Sequence, residues 1–206
     1  MTQLEYLIAL LSIIVGLALA DLARSVRELV RPDRAVRWHW LPLLWATTVF
    51  LLILQVWWAS FRVLQDEVFG RVLVFLPYLL MYLVLYLTCS FALPEPDWET
   101  STAVEDTSSL SLQSFYFSAA HRRWFFGALI VLVILSQVVS NAIRALSSEV
   151  TLNLVEQGRT AVFNLLVAAL LGGLIVSRRW WLHAVVAVFV FAAVVYSLAT
   201  QIAPLG

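Results

Sequence analysis

Six apolar runs, each about twenty residues long, constrain the fold of this 206-residue chain more than any other feature. A helix needs about 20 mostly apolar residues to cross a hydrocarbon core about 30 Å thick. The length of the runs favours helices, and none of them has the strict alternation of a barrel strand. Each run therefore predicts a transmembrane helix, with approximate limits 4–23, 40–62, 71–93, 124–146, 159–177 and 180–203.

The composition agrees with a membrane protein and excludes some partners. The chain is 62% hydrophobic and only 13% charged, whereas a soluble domain is about 25% charged. Such a chain cannot hide its apolar surface from water, so we expect an all-α polytopic bundle, one transmembrane domain over residues 1–206 in contact with the lipid bilayer. The net charge is zero and every basic residue is Arg. The protein therefore lacks the positively charged surface that attracts nucleic acids, so no nucleic-acid partner is expected.

The distribution of arginines predicts the orientation of the chain. Nine of the 13 basic residues fall in the segments after the first, third and fifth runs, namely Arg24, Arg27, Arg31, Arg34, Arg37, Arg122, Arg123, Arg178 and Arg179. The opposite side holds only Arg62, Arg71, Arg144 and Arg159. By the positive-inside rule the nine are cytoplasmic, so both termini are expected to be periplasmic.

Arginine followed by aromatic residues recurs where the second, fourth and sixth runs begin. The three copies are RWHW at 37–40, RRWFF at 122–126 and RRWW at 178–181. Three stacked helical hairpins would produce such a repeat. A cytoplasmic arginine bias combined with a belt of interfacial tryptophans produces it as well, and we favour this second explanation.

Only one loop between the runs is long, and its composition changes along its length. Residues 94–108 hold five carboxylates and no basic residue, so this stretch is expected to be an acidic cytoplasmic linker. Residues 109–123 are expected to form an interfacial segment, in which Ser108 or Ser109 caps a short helix on the membrane surface before the fourth span. The apolar contacts of that helix would come from Leu112, Phe115 and Phe117.

Three stretches resemble a known group of proteins. They are EYLIALLSIIVGLALADL in the first run, WHWLPLLWATTVFLLILQVWWASF in the second, and YFSAAHRRWFFG where the fourth begins. They look like an uncharacterised family of bacterial six-helix integral membrane proteins of about this length. The resemblance covers most of the chain and implies a bacterial inner membrane. It carries no known activity, so it implies nothing about substrate or mechanism.

Residues that could carry enzymatic chemistry are few and scattered. His39, His121 and His183 lie near the predicted cytoplasmic ends of their helices, and no cysteine or carboxylate cluster accompanies them. We interpret them as interfacial side chains without a metal or haem, whose joint replacement would leave stability unchanged. Cys89 is the only cysteine, which excludes an intramolecular disulfide. The sequence contains no recognisable catalytic motif, so neither an enzyme nor a cofactor is expected.

Acidic side chains are also missing from the middle of the predicted spans. Among acidic residues, Glu5 lies near the outer end of the first run and Asp21 near its inner end. Ion-coupled transport usually places a titratable group within the membrane. Proton-coupled pumping therefore lacks its central residue.

Uncharged polar residues, in contrast, recur in the runs. The stretch SQVVSNAIR at 136–144 places its hydrogen-bonding side chains within one arc of its helix, and that arc must face protein. Similar residues in the other runs lie in the predicted outer half of the bilayer, or form a stripe of tyrosines on the third run. The whole set comprises Gln55, Tyr78, Tyr82, Tyr86, Ser136, Gln137, Ser140, Asn141, Asn164, Tyr196, Ser197, Thr200 and Gln201.

Two interpretations of this polar set are open. The side chains either form inter-helix hydrogen bonds, each worth about 0.6 to 2 kcal/mol in membranes, or line a cavity open to the periplasm. A cavity would bind or pass a small polar or amphipathic solute or a lipid. The alternative function is a non-catalytic membrane scaffold or accessory subunit, in which a membrane partner protein or a second copy of the chain packs against the helices.

An ion pair is expected at the outer mouth of the bundle. Arg144 lies on the polar arc near the outer end of the fourth run, and Glu5 lies at about the same depth in the first. An inward-facing arginine needs a partner even at the membrane edge. We therefore predict that Glu5 and Arg144 pair, with rival partners in Asp66, Glu67, Glu149 and Glu156.

The predicted threading can be tested with reporter fusions. A reporter that is active only in the periplasm should work when it is fused after Gly206 and fail when it is inserted within residues 95–106, because the arginine bias places only the former outside. A reporter active only in the cytoplasm serves as the control and should give the reverse result. The opposite pattern for both reporters would exchange the inner and outer ends of the bundle.

Overall fold

A computed structural model describes residues 3–32, 35–64, 69, 72–94, 109–146 and 154–202. Helices account for nearly all of these residues: α1 (Gln3–Val30), α2 (Trp40–Val63), α3 (Val72–Ala92), α4 (Leu112–Phe117), α5 (Ala119–Leu146), α6 (Leu154–Val176) and α7 (Trp180–Ile202). Every one of them except α4 is long and apolar enough to cross a membrane. The prediction of an all-α polytopic bundle with six transmembrane helices is confirmed. The carboxylates of the predicted acidic linker at 94–108 lie outside the described residues.

The first helix extends beyond the apolar run that predicted it. The run ends near residue 23, whereas α1 continues to Val30 and buries Ser25 and Leu29 in its added turns. Glu28 is buried as well and pairs with Arg31, whose Nη1 lies 3.0 Å from Glu28 Oε2. Apolar composition therefore marks the part of the helix that the membrane surrounds, and the helix itself continues while one face remains covered by protein.

The six long helices form a ring. Around the bundle the order of contact is α1, α3, α5, α6, α7, α2 and back to α1, and α3 also touches α2. Helix α5 packs along both α3 and α6, whereas α6 and α7 touch each other only slightly. The ring therefore joins α2 to α7, which are far apart in the sequence. It leaves a space that is bordered by four helices, α2, α5, α6 and α7.

Aromatic side chains fill the bundle near the start of α2 and α5. Trp45 is almost fully buried, and its ring meets Phe125 and Phe126 edge-on, with centroid distances of 5.6 and 5.3 Å. Such pairs contribute about 0.5 to 1.5 kcal/mol beyond their buried area. Apolar side chains on the outside are exposed instead, for example Leu73 and Val176 at 82% and 85%. The outer surface is thus as apolar as lipid tails, which suits a bilayer environment.

A short parallel ladder ties two loops together at one end of the bundle. The strand β1 (Ala35–Arg37) precedes α2, and β2 (Ser109–Ser111) precedes α4. They pair with Val36 opposite Leu110. Neither three-residue strand was expected from the sequence, because a segment this short carries no periodicity. The ladder positions the start of α4 over the end of the bundle.

The short helix predicted before the fourth span is present as α4. Its cap is Ser111, whose Oγ accepts a hydrogen bond from the backbone N–H of Ser114 at 3.3 Å. The prediction that Ser108 or Ser109 is the cap was wrong. Ser109 belongs to the ladder, so the helix can begin only after the strand has ended.

The apolar side chains of α4 face protein. Leu112, Phe115 and Tyr116 are all buried, and the helix contacts α2 and α5. The sequence-based expectation had Leu112 and Phe115 facing the membrane surface. The helix instead covers one end of the bundle and encloses the side chains below it.

Candidate functional site

A cavity of about 310 Å³ lies inside the ring, between α2, α5, α6 and α7. This volume is at the lower end of the range of about 300–1,000 Å³ that small-molecule sites occupy. Most of the lining is apolar, and Met81 is the contribution of α3. The cavity therefore suits a small ligand with a substantial apolar part.

The polar side chains of the lining gather toward one end of the cavity. Gln55 of α2 donates a hydrogen bond from Nε2 to Ser197 Oγ of α7 over 2.5 Å. Asn164 of α6 and Ser136 of α5 also line the space. The side-chain carbonyl oxygen of Gln55 accepts no hydrogen bond from the described residues. It is therefore able to accept one from a ligand.

The other end of the cavity is mostly apolar, and its two polar groups are already paired: the Trp45 indole N–H donates to Tyr116, and the Thr48 hydroxyl donates to the carbonyl oxygen of Leu44. Its lining includes Trp45, Leu129 and Leu171. Trp45 precedes Gln55 along α2, and Leu129 precedes Ser136 along α5, so the two ends are separated along the helix axes. The lining is thus divided into a polar end and an apolar end.

A second group of polar side chains joins α5 to α6. Asn164 Nδ2 donates to Gln137 Oε1 over 2.6 Å, and Gln137 Nε2 donates to Asn141 Oδ1 over 3.1 Å. Gln157 of α6 also reaches Asn141, over 3.5 Å. Part of the polar arc of SQVVSNAIR therefore forms inter-helix hydrogen bonds, and Asn164 belongs both to this group and to the cavity lining.

The tyrosine stripe of α3 lies apart from the cavity. Tyr78 and Tyr82 are buried, with their ring centroids 5.4 Å apart. Tyr82 donates its hydroxyl hydrogen to the carbonyl oxygen of Val56 in α2 over 3.2 Å. Tyr86 is half-buried and does not line the cavity either. Tyr82 thus links α3 to α2, and none of the three tyrosines lines the cavity.

The other predicted site residues also lie outside the lining. Ser140 is half-buried on α5, and Tyr196 is 72% exposed on α7. Thr200 donates its hydroxyl hydrogen to the carbonyl oxygen of Ser197 within its own helix. The side chain of Gln201 lies outside the described residues. Of the predicted set, the structure therefore brings Gln55, Ser136, Asn164 and Ser197 together at the cavity.

The ion pair between Glu5 and Arg144 stays a prediction. Nη1 of Arg144 is buried and has no hydrogen-bond partner among the described residues. A buried cationic group needs a polar or charged partner. The rival carboxylates in the outer loops have side chains outside the described residues, so they stay candidates as well.

A chain of buried hydrogen bonds lies beyond the apolar end of the cavity. Trp45 Nε1 donates to the hydroxyl of Tyr116 over 3.0 Å. That hydroxyl lies 2.9 Å from Nδ1 of His183, and His183 Nε2 lies 3.0 Å from the carbonyl oxygen of Ser177. A carbonyl oxygen only accepts, so Nε2 carries the proton and Nδ1 accepts from the Tyr116 hydroxyl.

The protonation state of Tyr116 supports this direction of donation. Burial raises the pKa of its phenol above the ordinary value, and the hydrogen bond from Trp45 opposes that rise. The phenol therefore keeps its hydrogen at neutral pH and can donate it to His183. Each side chain in this row of hydrogen bonds is neutral and paired, as a buried polar group must be.

The buried hydrogen bonds correct the interpretation of the histidines. His183 is fully buried and His121 is 6% exposed, so the prediction that they are interfacial side chains was wrong. The reason is α4, which covers this end of the bundle; His121 stacks on Phe125 with ring centroids 5.1 Å apart. The dispensability of the histidines for stability stays a prediction, and the buried hydrogen bonds of His183 argue against it. Only His39 of the three is partly exposed, and its Nδ1 accepts from the backbone N–H of Leu41 over 3.4 Å at the start of α2.

Arg122, in the first turn of α5, anchors the turn between α6 and α7. It is 4% exposed, and its Nη1 donates to the carbonyl oxygens of Ile175 and Ser177 over 3.0 and 2.8 Å. The last carbonyl groups of a helix have no intrahelical partner and attract cations. Arg122 therefore fixes the loop whose Ser177 carbonyl oxygen accepts a hydrogen bond from His183.

Sequence reasoning missed Trp45, Tyr116 and Arg122 as parts of one arrangement. Trp45 and Tyr116 are 71 residues apart, so no local spacing connects them. The available signal was weak: Trp and Tyr usually find a hydrogen-bond partner when they are buried. Among the residues that the structure describes, no three histidines, cysteines or carboxylates group in a way that could hold a metal ion.

The same substitution at two histidines tests the buried chain. His183→Asn should lower the free energy of unfolding by about 1 to 3 kcal/mol, because the shorter amide cannot reach both Tyr116 and Ser177 and leaves a buried group unpaired. His39→Asn is the matched control and should change it by less than about 0.5 kcal/mol, since Asn also caps helices. Unfolding in mixed micelles, followed by circular dichroism, measures both. Equal losses of unfolding free energy in the two variants would show that the buried hydrogen bonds add no stability.

No protein-family model, curated protein or solved structure matches this chain. The resemblance to a family of bacterial membrane proteins therefore stays an expectation, and the geometry of the helices and of the cavity carries the functional argument. Six helices of the described residues have the length and apolarity to span a bilayer. The chain is a multi-pass membrane protein.

Proposed function

We propose that this protein binds a small amphipathic molecule or a lipid in the cavity between α2, α5, α6 and α7. The observation that supports this most is the division of the lining into a polar end at Gln55 and Ser197 and an apolar end at Trp45 and Leu171. The ligand would place its alkyl part near Trp45 and its polar group at Gln55. A fully polar solute would lose its hydration against mostly apolar walls, so an amphipathic ligand fits better.

The bilayer determines which contacts provide affinity. An apolar group gains little when it leaves lipid for the cavity, because lipid tails are as apolar as the walls. A hydroxyl group dissolved in hydrocarbon has no hydrogen-bond partner, so a bond to the free carbonyl oxygen of Gln55 contributes on the order of 1 to 2 kcal/mol. The polar end therefore selects the ligand, and the apolar end limits its size.

The proposal places the protein in a bacterial inner membrane, with the polar end of the cavity toward the periplasm. The proposed orientation is supported by the nine arginines toward the other side and by the positive-inside rule. The protein would hold its ligand or pass it across the membrane without chemical change.

A groove on the outside of the bundle favours a second candidate function, a membrane scaffold or accessory subunit. The groove has a volume of about 380 Å³ and lies between α1 and α2, with Leu22, Val26, Leu43 and Phe50 in its lining. An apolar groove along two helices can accept a helix of a partner protein or of a second copy of the chain. Native mass spectrometry in detergent separates the candidates, since it reveals either a retained small molecule or an additional protein chain.

Filling the cavity should prevent ligand binding. Ala193 lines the cavity, whereas its neighbour Ala192 is exposed. The Ala193→Phe variant should bind decanol, an alcohol with an alkyl chain, at least about tenfold more weakly, because overpacking costs about 1 to 3 kcal/mol. The matched Ala192→Phe variant should bind as the wild type does. Native mass spectrometry with added decanol counts the bound molecules.

The polar end needs its own variant. Gln55→Leu keeps the approximate size of the side chain and removes both the acceptor and the bond to Ser197, so it should weaken the binding of decanol more than the binding of decane. If Ala193→Phe binds decanol as tightly as the wild type does, the cavity is not the binding site. A copurified protein chain with no bound small molecule would support the scaffold function instead.

A further inference from the structure

The structure brings together two copies of the Arg-Arg-Trp motif, at the starts of α5 and α7. Arg122 Nη1 donates to the carbonyl oxygen of Ser177, which directly precedes Arg178 and Arg179. The guanidinium group of Arg122 is also close enough to Arg123 and Arg178 to be repelled by both. We call these four arginines the basic corner. Two basic segments that are far apart in the sequence thus share one end of the bundle.

The described part of the protein does not neutralise the basic corner. Residues 109–146 and 157–202, which include the whole corner and the described helices that carry it, contain no Asp or Glu. Two ion pairs among the described residues, from Arg27 and Arg31 to Glu28, lie at the end of α1 and not at the corner. The first turns of α5 and α7 add the positive ends of two helix dipoles. The corner therefore attracts an anion from outside the described structure.

Exposed tryptophans flank these arginines. Trp124 is 66% exposed, and Trp180 and Trp181 are 61% and 51% exposed. Tryptophan is enriched at the headgroup level of a bilayer, where its ring meets both apolar and polar surroundings. In a bilayer, tryptophans at the headgroup level would put the guanidinium groups beside them at the depth of lipid phosphates.

We propose that the basic corner binds the headgroup of an anionic phospholipid. A guanidinium group forms two parallel hydrogen bonds with a phosphate and is suited to this contact. Basic pockets between transmembrane helices bind anionic headgroups in this way. The bound phosphate would offset the repulsion among the arginines, and the acyl chains would lie against the exposed tryptophans. This lipid site is separate from the cavity, whose lining includes none of the four arginines.

The test compares two lipids with identical acyl chains, added to the purified full-length protein in detergent. Phosphatidylglycerol carries an anionic headgroup, and phosphatidylcholine carries a zwitterionic one. The wild type should bind phosphatidylglycerol more tightly, as measured by native mass spectrometry across a lipid titration. The Arg123→Gln/Arg178→Gln variant should lose about thirty-fold in affinity for phosphatidylglycerol, which corresponds to about 1 kcal/mol for each interfacial arginine. Its binding of phosphatidylcholine should equal that of the wild type.

A matched control separates the basic corner from a general charge effect. Arg24 and Arg37 are exposed and lie on the same predicted side of the membrane, outside the corner. The Arg24→Gln/Arg37→Gln variant should keep the wild-type affinity for phosphatidylglycerol. An equal loss in both double variants, or equal affinity of the wild type for the two lipids, would overturn the proposal.

Two further variants keep the test decisive. If the glutamine variant does not fold, the Arg123→Lys/Arg178→Lys variant replaces it, because lysine keeps the charges but removes the paired hydrogen bonds. This variant should bind phosphatidylglycerol more weakly than the wild type does. Unchanged affinity would refute the proposal. Neutralising all five carboxylates of residues 94–108 should leave the affinity unchanged. A large increase would mean that this acidic segment of the chain occupies the corner, and the lipid proposal would be wrong.

Discussion

The hydrogen-bond chain from Trp45 through Tyr116 and His183 to Ser177 holds the rest of the structure in place. It joins α2, α4, α7 and the turn after α6. In a bilayer, apolar contacts discriminate poorly between helix arrangements because lipid offers similar contacts. A buried polar chain is fully paired in one arrangement, and each unpaired member costs about 1 to 3 kcal/mol. Since Trp45 also lines the cavity, the shape of the apolar end depends on the same bonds.

Polar contacts at the opposite end complete the frame. Gln55 reaches Ser197, and Asn164 reaches Gln137, so α2 is joined to α7 and α6 is joined to α5. Between the two polar levels the walls are apolar and less constrained, and the ring does not close completely where α6 meets α7. A space framed by hydrogen bonds at both ends keeps its volume without being filled by side chains. Some of the predicted polar residues therefore hold helices together, and others border the space that results.

The sequence was sufficient for some levels of this description and not for others. Hydropathy predicted the six long helices because the bilayer requires a fixed apolar length from each. Helical periodicity placed Gln137 where it accepts from Asn164 of a neighbouring helix, whereas Asn141 on the same arc is exposed. It could not tell that Tyr196 is exposed while the adjacent Ser197 reaches Gln55, because periodicity defines an arc but not the helix that faces it. The burial of His183 depended on α4 covering the end of the bundle, and distance from a helix end carries no information about such a cover.

The contact between α2 and α7 also has a consequence for the order of assembly. Gln55 and Ser197 are 142 residues apart, and helices enter a membrane in the order in which they are synthesised. The contacts among α1, α2, α3 and α5 can form early, whereas the ring and its cavity form only after α7 has arrived. The cavity therefore appears in one step, late in synthesis. A nascent chain that stops before α7 has most of its helices but lacks one wall of the cavity.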